Sequence, residues 1–188
     1  MVQLTRPRET ARLILRPFEL GDLDDLALIF ASPDVNRYLY FEPRDRAETL
    51  ATLQRRVEAP SGVAEDNVLN VAVVLREEQR LIGDFILRWR DDVHRQGEIG
   101  GSLHPRYQGR GYASEIYEEL LVLAFTEYEL HRVIGRCDAR NTPSVRSLAK
   151  AGLREEAHFM ENEFVKGEWT DEIVMAILRS EWRAARRP

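Results

Sequence analysis

Residues 103–113, Leu-His-Pro-Arg-Tyr-Gln-Gly-Arg-Gly-Tyr-Ala, set Gly109 and Gly111 two positions apart with Arg106 and Arg110 beside them. Glycines at that spacing suit neither strand nor helix. They suit a loop whose backbone takes unusual φ values or lets another molecule come close. Ala113, Ile116, Leu120, Leu123 and Ala124 follow with the spacing of a helix's buried stripe. The loop therefore stands at a helix entrance, where several N–H groups lack an intrahelical acceptor and the macrodipole favours negative charge. With two arginines added, the chemistry on offer is the binding of phosphate or pyrophosphate. Two nucleotide motifs fail at this loop. No lysine follows Gly111 as a Walker loop requires, and Ser114 stands where a dinucleotide fingerprint needs its third glycine. A tight strand-to-helix connection that binds nothing remains the competing reading.

The flanking elements can be read from periodicity. Residues 11–18 alternate as an opening strand stopped by Pro17, and Leu23, Leu26, Ala27, Ile29 and Phe30 are near helical spacing. A second helix is expected over 45–58, then a loop over 59–67. Residues 68–75 and 81–89 form an antiparallel hairpin around a polar turn, with Leu69, Val71, Val73 and Leu75 on one face and Leu81, Gly83, Phe85, Leu87 and Trp89 alternating opposite. Residues 97–103 make a strand weakened by three glycines, and 132–138 make another. A short helix ends at Gly152, and a final hairpin turns at Lys166-Gly167. The passage from Glu98 to Asp138 implies a right-handed parallel crossover. The fold class is α/β (α+β): a mixed, mostly antiparallel sheet of about seven strands flanked by about four helices. The 188 residues suit one domain, its core over about 10–178.

Composition narrows the function. A net charge of −5 argues against nucleic acid as the main partner. No apolar run is long enough to span a membrane, and residues 1–13 lack the layout of a signal peptide. A single cysteine, Cys137, excludes an internal disulfide framework and fits a reducing, cytoplasmic setting. The four histidines show no metal-ligand spacing, so no metal is expected. His104, ahead of Pro105, reads as a satisfied or exposed loop residue, and Cys137 as a core thiol.

Four segments, in order, resemble the GNAT superfamily of acetyl-CoA-dependent N-acetyltransferases, and within it the Rim-type branch that includes ribosomal-protein N-terminal acetyltransferases. They are TARLILRPFELGDLDDL, RYQGRG, NTPSVRSLAKAGL and FVKGEWTDEIVMAIL, and the resemblance covers about residues 10–178. It implies that Gln108, Gly109, Arg110, Gly111, Tyr112 and Ala113 hold the pyrophosphate of coenzyme A, with Arg106 lending charge. The strand ending at Leu103 would pair with the pantetheine arm, Asn141 would hydrogen-bond it, and the strands at 98–103 and 132–138 would splay. The reaction implied is direct attack of a primary amine on the acetyl thioester. The acceptor is a protein N-terminal amine or a small-molecule amine. A non-catalytic coenzyme A sensor is the alternative.

The family's tyrosine general acid does not carry over, because Leu148 occupies its position. Ser144 is the candidate to contact or protonate the departing thiolate, against a role as a helix cap only. Glu98 is the candidate base. Phe159, Phe164 and Trp169 could line an acceptor pocket, and Arg183, Arg186 and Arg187 read as a solvated tail. An edge strand in the last hairpin could pair with a second copy to give a homodimer.

Overall fold

The computed structural model describes residue 4 and residues 6–58, 63–64, 67–91 and 93–186. Most of the loop expected over 59–67 lies outside these residues, and its Val63–Ala64 is a two-residue strand, β3. The other strands are β1 (Arg8–Glu9), β2 (Leu13–Arg16), β4 (Val68–Leu75), β5 (Arg80–Asp91), β6 (Gln96–Leu103), β7 (Arg132–Asp138), β8 (Arg154–Val165) and β9 (Glu168–Leu178). The helices are α1 (Leu23–Phe30), α2 (Pro33–Asn36), α3 (Arg46–Glu58), α4 (Tyr112–Val122, running into a π-turn over Leu123–Glu127), α5 (Thr142–Lys150) and α6 (Arg179–Ala185). The sheet runs β1-β2-β4-β5-β6-β7-β9-β8, with β3 paired to β4. All pairings are antiparallel except β6 with β7. The mixed sheet matches expectation, and the strands beyond the expected number are the two-residue β1 and β3.

Apolar side chains bury both faces of the sheet. On one face Leu69, Val71, Val73, Phe85, Leu87 and Ile99 pack against Ile116, Leu120 and Ala124 of α4 and Leu148 of α5. On the other, Ala72 and Leu81 pack against Leu26, Ile29 and Phe30 of α1 and Leu53 of α3. The strand β4 is consequently buried along its whole length. The expected alternation of β5 fails at one point. The ladder with β4 slips between Val73 and Val74, so Leu81 joins the second cluster and Ile82 joins Phe85 and Leu87. A bulge reverses which residues face which side, and no residue type in 80–83 announces it.

At the C-terminal end, Trp182 of α6 packs on Phe125 at 5.4 Å between ring centroids. Arg183 and Arg186 therefore ride on a docked helix and its end instead of a free tail, and Arg187 lies outside the described residues. At Lys166 (φ 53°) and Gly167 (φ 85°) the final hairpin turns through two left-handed residues, as the Lys-Gly pair suggested.

One irregularity shapes the molecule. The parallel ladder joins β6 to β7 only from Gln96–Arg132 to Glu98–Ile134. Beyond it, β6 stays paired to β5 as far as Leu103, and β7 stays paired to β9 as far as Asp138. The two strands diverge because each is held by its outer neighbour. Two of the three glycines that weaken β6 on propensity grounds, Gly97 and Gly101, are needed for packing. A Cβ on Gly97 would sit 2.5 Å from Leu130, and one on Gly101 would sit 2.5 Å from the Phe85 ring and 2.6 Å from the Asp84 carbonyl.

Gly101→Ala forces that contact against backbone as well as ring. Overpacking of this kind costs typically ~2–3 kcal/mol, worth roughly 5–10 °C for a domain of this size. Thermal unfolding monitored by circular dichroism checks it; an unchanged midpoint would show that β6 can move aside.

Candidate active site

The loop after β6 is built from its own backbone. His104 Nδ1 accepts the Arg106 N–H at 3.2 Å, so that nitrogen is unprotonated, and burial followed by the charge of Arg80 pushes the ring's pKa down. This is the satisfied loop histidine expected. Tyr107 is buried and donates to Glu78 at 2.6 Å, bolting the loop to the β4–β5 turn. The Gln108 amide reaches back to the Leu103 carbonyl at 3.0 Å. Gly109 (φ 73°) and Gly111 (φ 80°) are both left-handed. At Gly109 a Cβ would meet nothing within 4 Å, so the demand there is for conformation and not for space.

Gly111 is the N-cap of α4, and no side chain caps the helix. The first helical bond runs from the Glu115 N–H to the Gly111 carbonyl, and the N–H groups of residues 109–114 have no acceptor among the described residues. Capping residues normally satisfy such donors. Here the loop and the helix start border a cavity of about 460 Å³, lined by Gln108, Gly109, Gly111, Tyr112, Ala113 and Ser114. Arg12 of β2 braces the turn. It donates to the Arg110 carbonyl at 3.0 Å, pairs with Glu115 at 2.6 Å, and stacks over the Tyr112 ring at 4.4 Å. Burial works to raise the Glu115 pKa, but hydrogen bonds from Thr10 and Arg12 outweigh it and hold the carboxyl below its usual range.

The opposite wall is α5, which contributes Asn141, Pro143, Ser144, Arg146, Ser147 and Lys150. Asn141 Oδ1 accepts the Ser144 N–H at 3.2 Å, so the cap of this helix is Asn141 and not Ser144. Ser144 is the third helical residue, with its hydroxyl within reach of the Tyr117 hydroxyl and the Cys137 thiol. Tyr117, buried against Phe85 at 5.5 Å, lines the same cavity. Burial raises its pKa and pushes the Cys137 thiol up to about 11. Both groups are protonated at neutral pH. Leu148 fills the space over Gly135, where a Cβ would lie 2.8 Å from its methyl.

The cavity passes through the divergence of β6 and β7. Phe85, Leu103 and Tyr117 belong to the α4 side, while Asp34, Val35, Tyr38 and Leu39 line it from the α2 side. On that second side the Tyr40 hydroxyl donates to Glu172 at 3.0 Å, and Lys166 at the hairpin tip donates to the Asn36 carbonyl. Glu172 is 1% exposed and also accepts from Arg136 Nε and Nη2, at 2.9 and 2.7 Å. Glu98 stands at the last paired position before the strands part, bonded to Arg90 at 3.1 Å and outside the cavity lining. Arg106 and Arg110 flank the cavity without lining it.

Of the residues singled out from sequence, Leu103, Gln108, Gly109, Gly111, Tyr112, Ala113, Asn141 and Ser144 converge on one cavity. The aromatics do not. Phe159, Phe164 and Trp169 are 47%, 62% and 60% exposed and absent from its lining. Sequence reasoning missed Tyr117, Arg146 and Lys150, although Pro143, Arg146, Ser147 and Lys150 carry the spacing of a single helical face. Asp34 and Tyr38 had no signal, since a four-residue helix is too short for periodicity.

Comparison with known proteins decides the lineage of this site. The acetyltransferase (GNAT) domain profile matches residues 12–154. The chain belongs to the GNAT family of acetyltransferases, and it is an acyltransferase. An uncharacterized N-acetyltransferase of Bacillus subtilis, YnaD, is 34% identical over 173 residues, covering 92% of this chain and 97% of that protein. The spermidine N(1)-acetyltransferase of Vibrio cholerae is 27% identical over 172 residues, covering 92% and 96%. A GNAT-family acetyltransferase structure from Bacillus anthracis superposes with a TM-score of 0.83 at 31% identity, over 93% of this chain and 99% of that one. Among the described residues no group of His, Cys, Asp and Glu could hold a metal ion, and no helix is long and apolar enough to cross a membrane.

The geometry around Ser144 separates two chemical routes. A covalent acetyl-cysteine would need the Cys137 thiolate, which its burial disfavours. Cys137→Ala is expected to keep at least a third of wild-type turnover, with no acetyl adduct on the native chain by intact-mass spectrometry. Ser144→Ala is expected to lower kcat at least about tenfold with the fold intact by circular dichroism; near-normal turnover would remove Ser144 from the chemistry.

Proposed function

We propose that this enzyme transfers the acetyl group of acetyl-CoA to a primary amine by direct attack within a ternary complex. The observation that carries the reading is the uncapped start of α4. Gly109 and residues 111–114, whose backbone N–H groups have no acceptor among the described residues, line a cavity that continues between diverging strands. A pyrophosphate is the ligand such a helix entrance suits. The pantetheine arm would then run along the free edge of β6 toward Leu103, opposite Asn141, and bring the thioester beside Ser144 and Tyr117.

An amine is mostly protonated at neutral pH and must lose a proton before it attacks. Glu98, at the root of the divergence, would draw that proton through water. The thiolate that departs takes a hydrogen bond or a proton from Ser144. Holding both reactants in one cavity supplies much of the remaining acceleration.

Two ties favour a small acceptor over a polypeptide N-terminus. Tyr40 to Glu172 and Lys166 to the Asn36 carbonyl join the α2 segment to the final hairpin, across the side from which an acceptor enters. An extended peptide would have to break them, whereas a small amine would pass between Asp34, Tyr38 and the strands. The spermidine acetyltransferase of Vibrio cholerae, among the relatives, fits that class. A second reading, a coenzyme A-binding module without turnover, draws on Leu148 in place of a tyrosine acid.

Acetyl-CoA at about 100 times its Kd is expected to add roughly 2.7 kcal/mol, seen as a shift of roughly 5–10 °C that ATP and NADH do not reproduce. Thiol release should then be faster with diamines and polyamines than with peptides bearing a free N-terminus. Tight binding without turnover on any amine would instead establish the sensor. In Glu98→Gln the acidic limb of the pH–rate profile should change, and an unaltered limb would clear Glu98 of the base role.

A further inference from the structure

A departing sulfur needs a hydrogen-bond donor beside it, and α5 offers few. Leu148, one turn beyond Ser144, packs its methyl groups over Gly135 and does not line the cavity. Two hydroxyls of α5 do line it, Ser144 and Ser147, and Ser147 is spent on the Pro143 carbonyl at 2.9 Å. That leaves Ser144. A serine hydroxyl has one hydrogen and two acceptor lone pairs. Both the Cys137 thiol and the Tyr117 hydroxyl are within its reach. If the Ser144 hydrogen turns to the Cys137 sulfur, it is lost to a ligand in the cavity.

Tyr117 governs that choice. It comes from α4, on the opposite wall, and lines the same cavity. Its ring is held edge-on to Phe85, at 5.5 Å between centroids and 73° between planes, and the residue is 3% exposed. Burial raises its pKa, so the phenol keeps its proton and can serve as a donor. The other buried tyrosine hydroxyls near the donor loop are committed elsewhere, since Tyr107 donates to Glu78 and Tyr112 lies beneath Arg12. When Tyr117 donates to Ser144 Oγ, the Ser144 hydrogen is free to point into the cavity. Two hydroxyls in series polarise one another as negative charge grows at the end of the chain. Neither has to ionise, because a phenol, with a pKa of about 10, is a weaker acid than a thiol at about 8.5. The C–S bond breaks with its electron pair on sulfur, and both hydroxyls keep their protons.

We propose that Tyr117 is a positioning residue of the leaving-group site, aiming the Ser144 hydrogen at the departing sulfur in place of the tyrosine that α5 lacks at Leu148. The assignment rests on the acetyl-CoA reading above and adds to it a residue from α4.

The test is a double-mutant cycle in steady-state thiol release, with acetyl-CoA and whichever amine the wild-type chain turns over fastest among diamines, polyamines and N-terminal peptides. Tyr117→Phe keeps the ring against Phe85 and removes only the hydroxyl; circular dichroism verifies folding. It is expected to lower kcat about five- to tenfold, with KM for acetyl-CoA within about twofold of wild type. Tyr117→Phe/Ser144→Ala is expected to stay within about twofold of Ser144→Ala alone, because the tyrosine acts through the serine. A kcat of Tyr117→Phe within twofold of wild type, a loss seen in KM and not in kcat, or losses that multiply in the double variant would each overturn the proposal and leave the acetyl-CoA reading standing. The failure of that reading has a separate signature. The wild-type chain would then turn over no amine, and the proposal would fall with it.

Discussion

The divergence of β6 from β7 is the constraint on which the rest of the site depends. A sheet normally closes its ladders, because unpaired N–H and C=O groups on a buried strand are costly. Here pairing stops after Glu98 and Ile134, since the outer partners of the two strands pull them to different places. The exposed strand edge is left where another extended, hydrogen-bonding chain can lie. The helix that follows β6 begins at the same place and is also unfinished, with free donors at its N-terminus. Two incomplete hydrogen-bonding systems, one linear and one at a point, together outline a ligand with a polar arm and an anionic head.

Maintaining that arrangement falls to side chains far apart in sequence. Arg12 grips Glu115 and the Arg110 carbonyl, and Tyr107 is tied to Glu78. Leu148 over Gly135 keeps α5 close enough for Asn141 and Ser144 to face the loop. Such contacts pre-organise a site, so that binding need not pay for ordering it. On the far side of the sheet, Glu172 gathers Tyr40, Arg136 and Asn162, a buried carboxylate with each partner supplied.

Much of this was legible in the sequence, because the strongest elements are locally consistent. Strand β7 carries clean alternation, the Lys-Gly turn needs two left-handed residues, and the glycines at 109 and 111 stand ahead of an apolar stripe. What escaped has identifiable causes. The bulge that puts Leu81 on the face opposite Phe85 and Leu87 is a matter of register, set by pairing and not by residue type. Tyr117 belongs to a stripe that reads as ordinary core, and only the fold reveals that its hydroxyl reaches Ser144. The acceptor side depends on a helix of four residues, α2, too short for any pattern. Exposed Phe164 and Trp169, whose tilted rings meet at 5.3 Å, invited a pocket role that their place on the hairpin surface does not give them.

The strand order also has a consequence in time. Strand β9, inserted between β7 and β8, is what holds β7 away from β6, yet it follows both of them in the chain. Until Glu168–Leu178 emerge, β7 has no outer partner, and nothing prevents it from zipping along the full edge of β6. Non-local pairings of this kind are slow to form. The cleft therefore depends on a pairing made by a strand that comes after both of its walls in the chain.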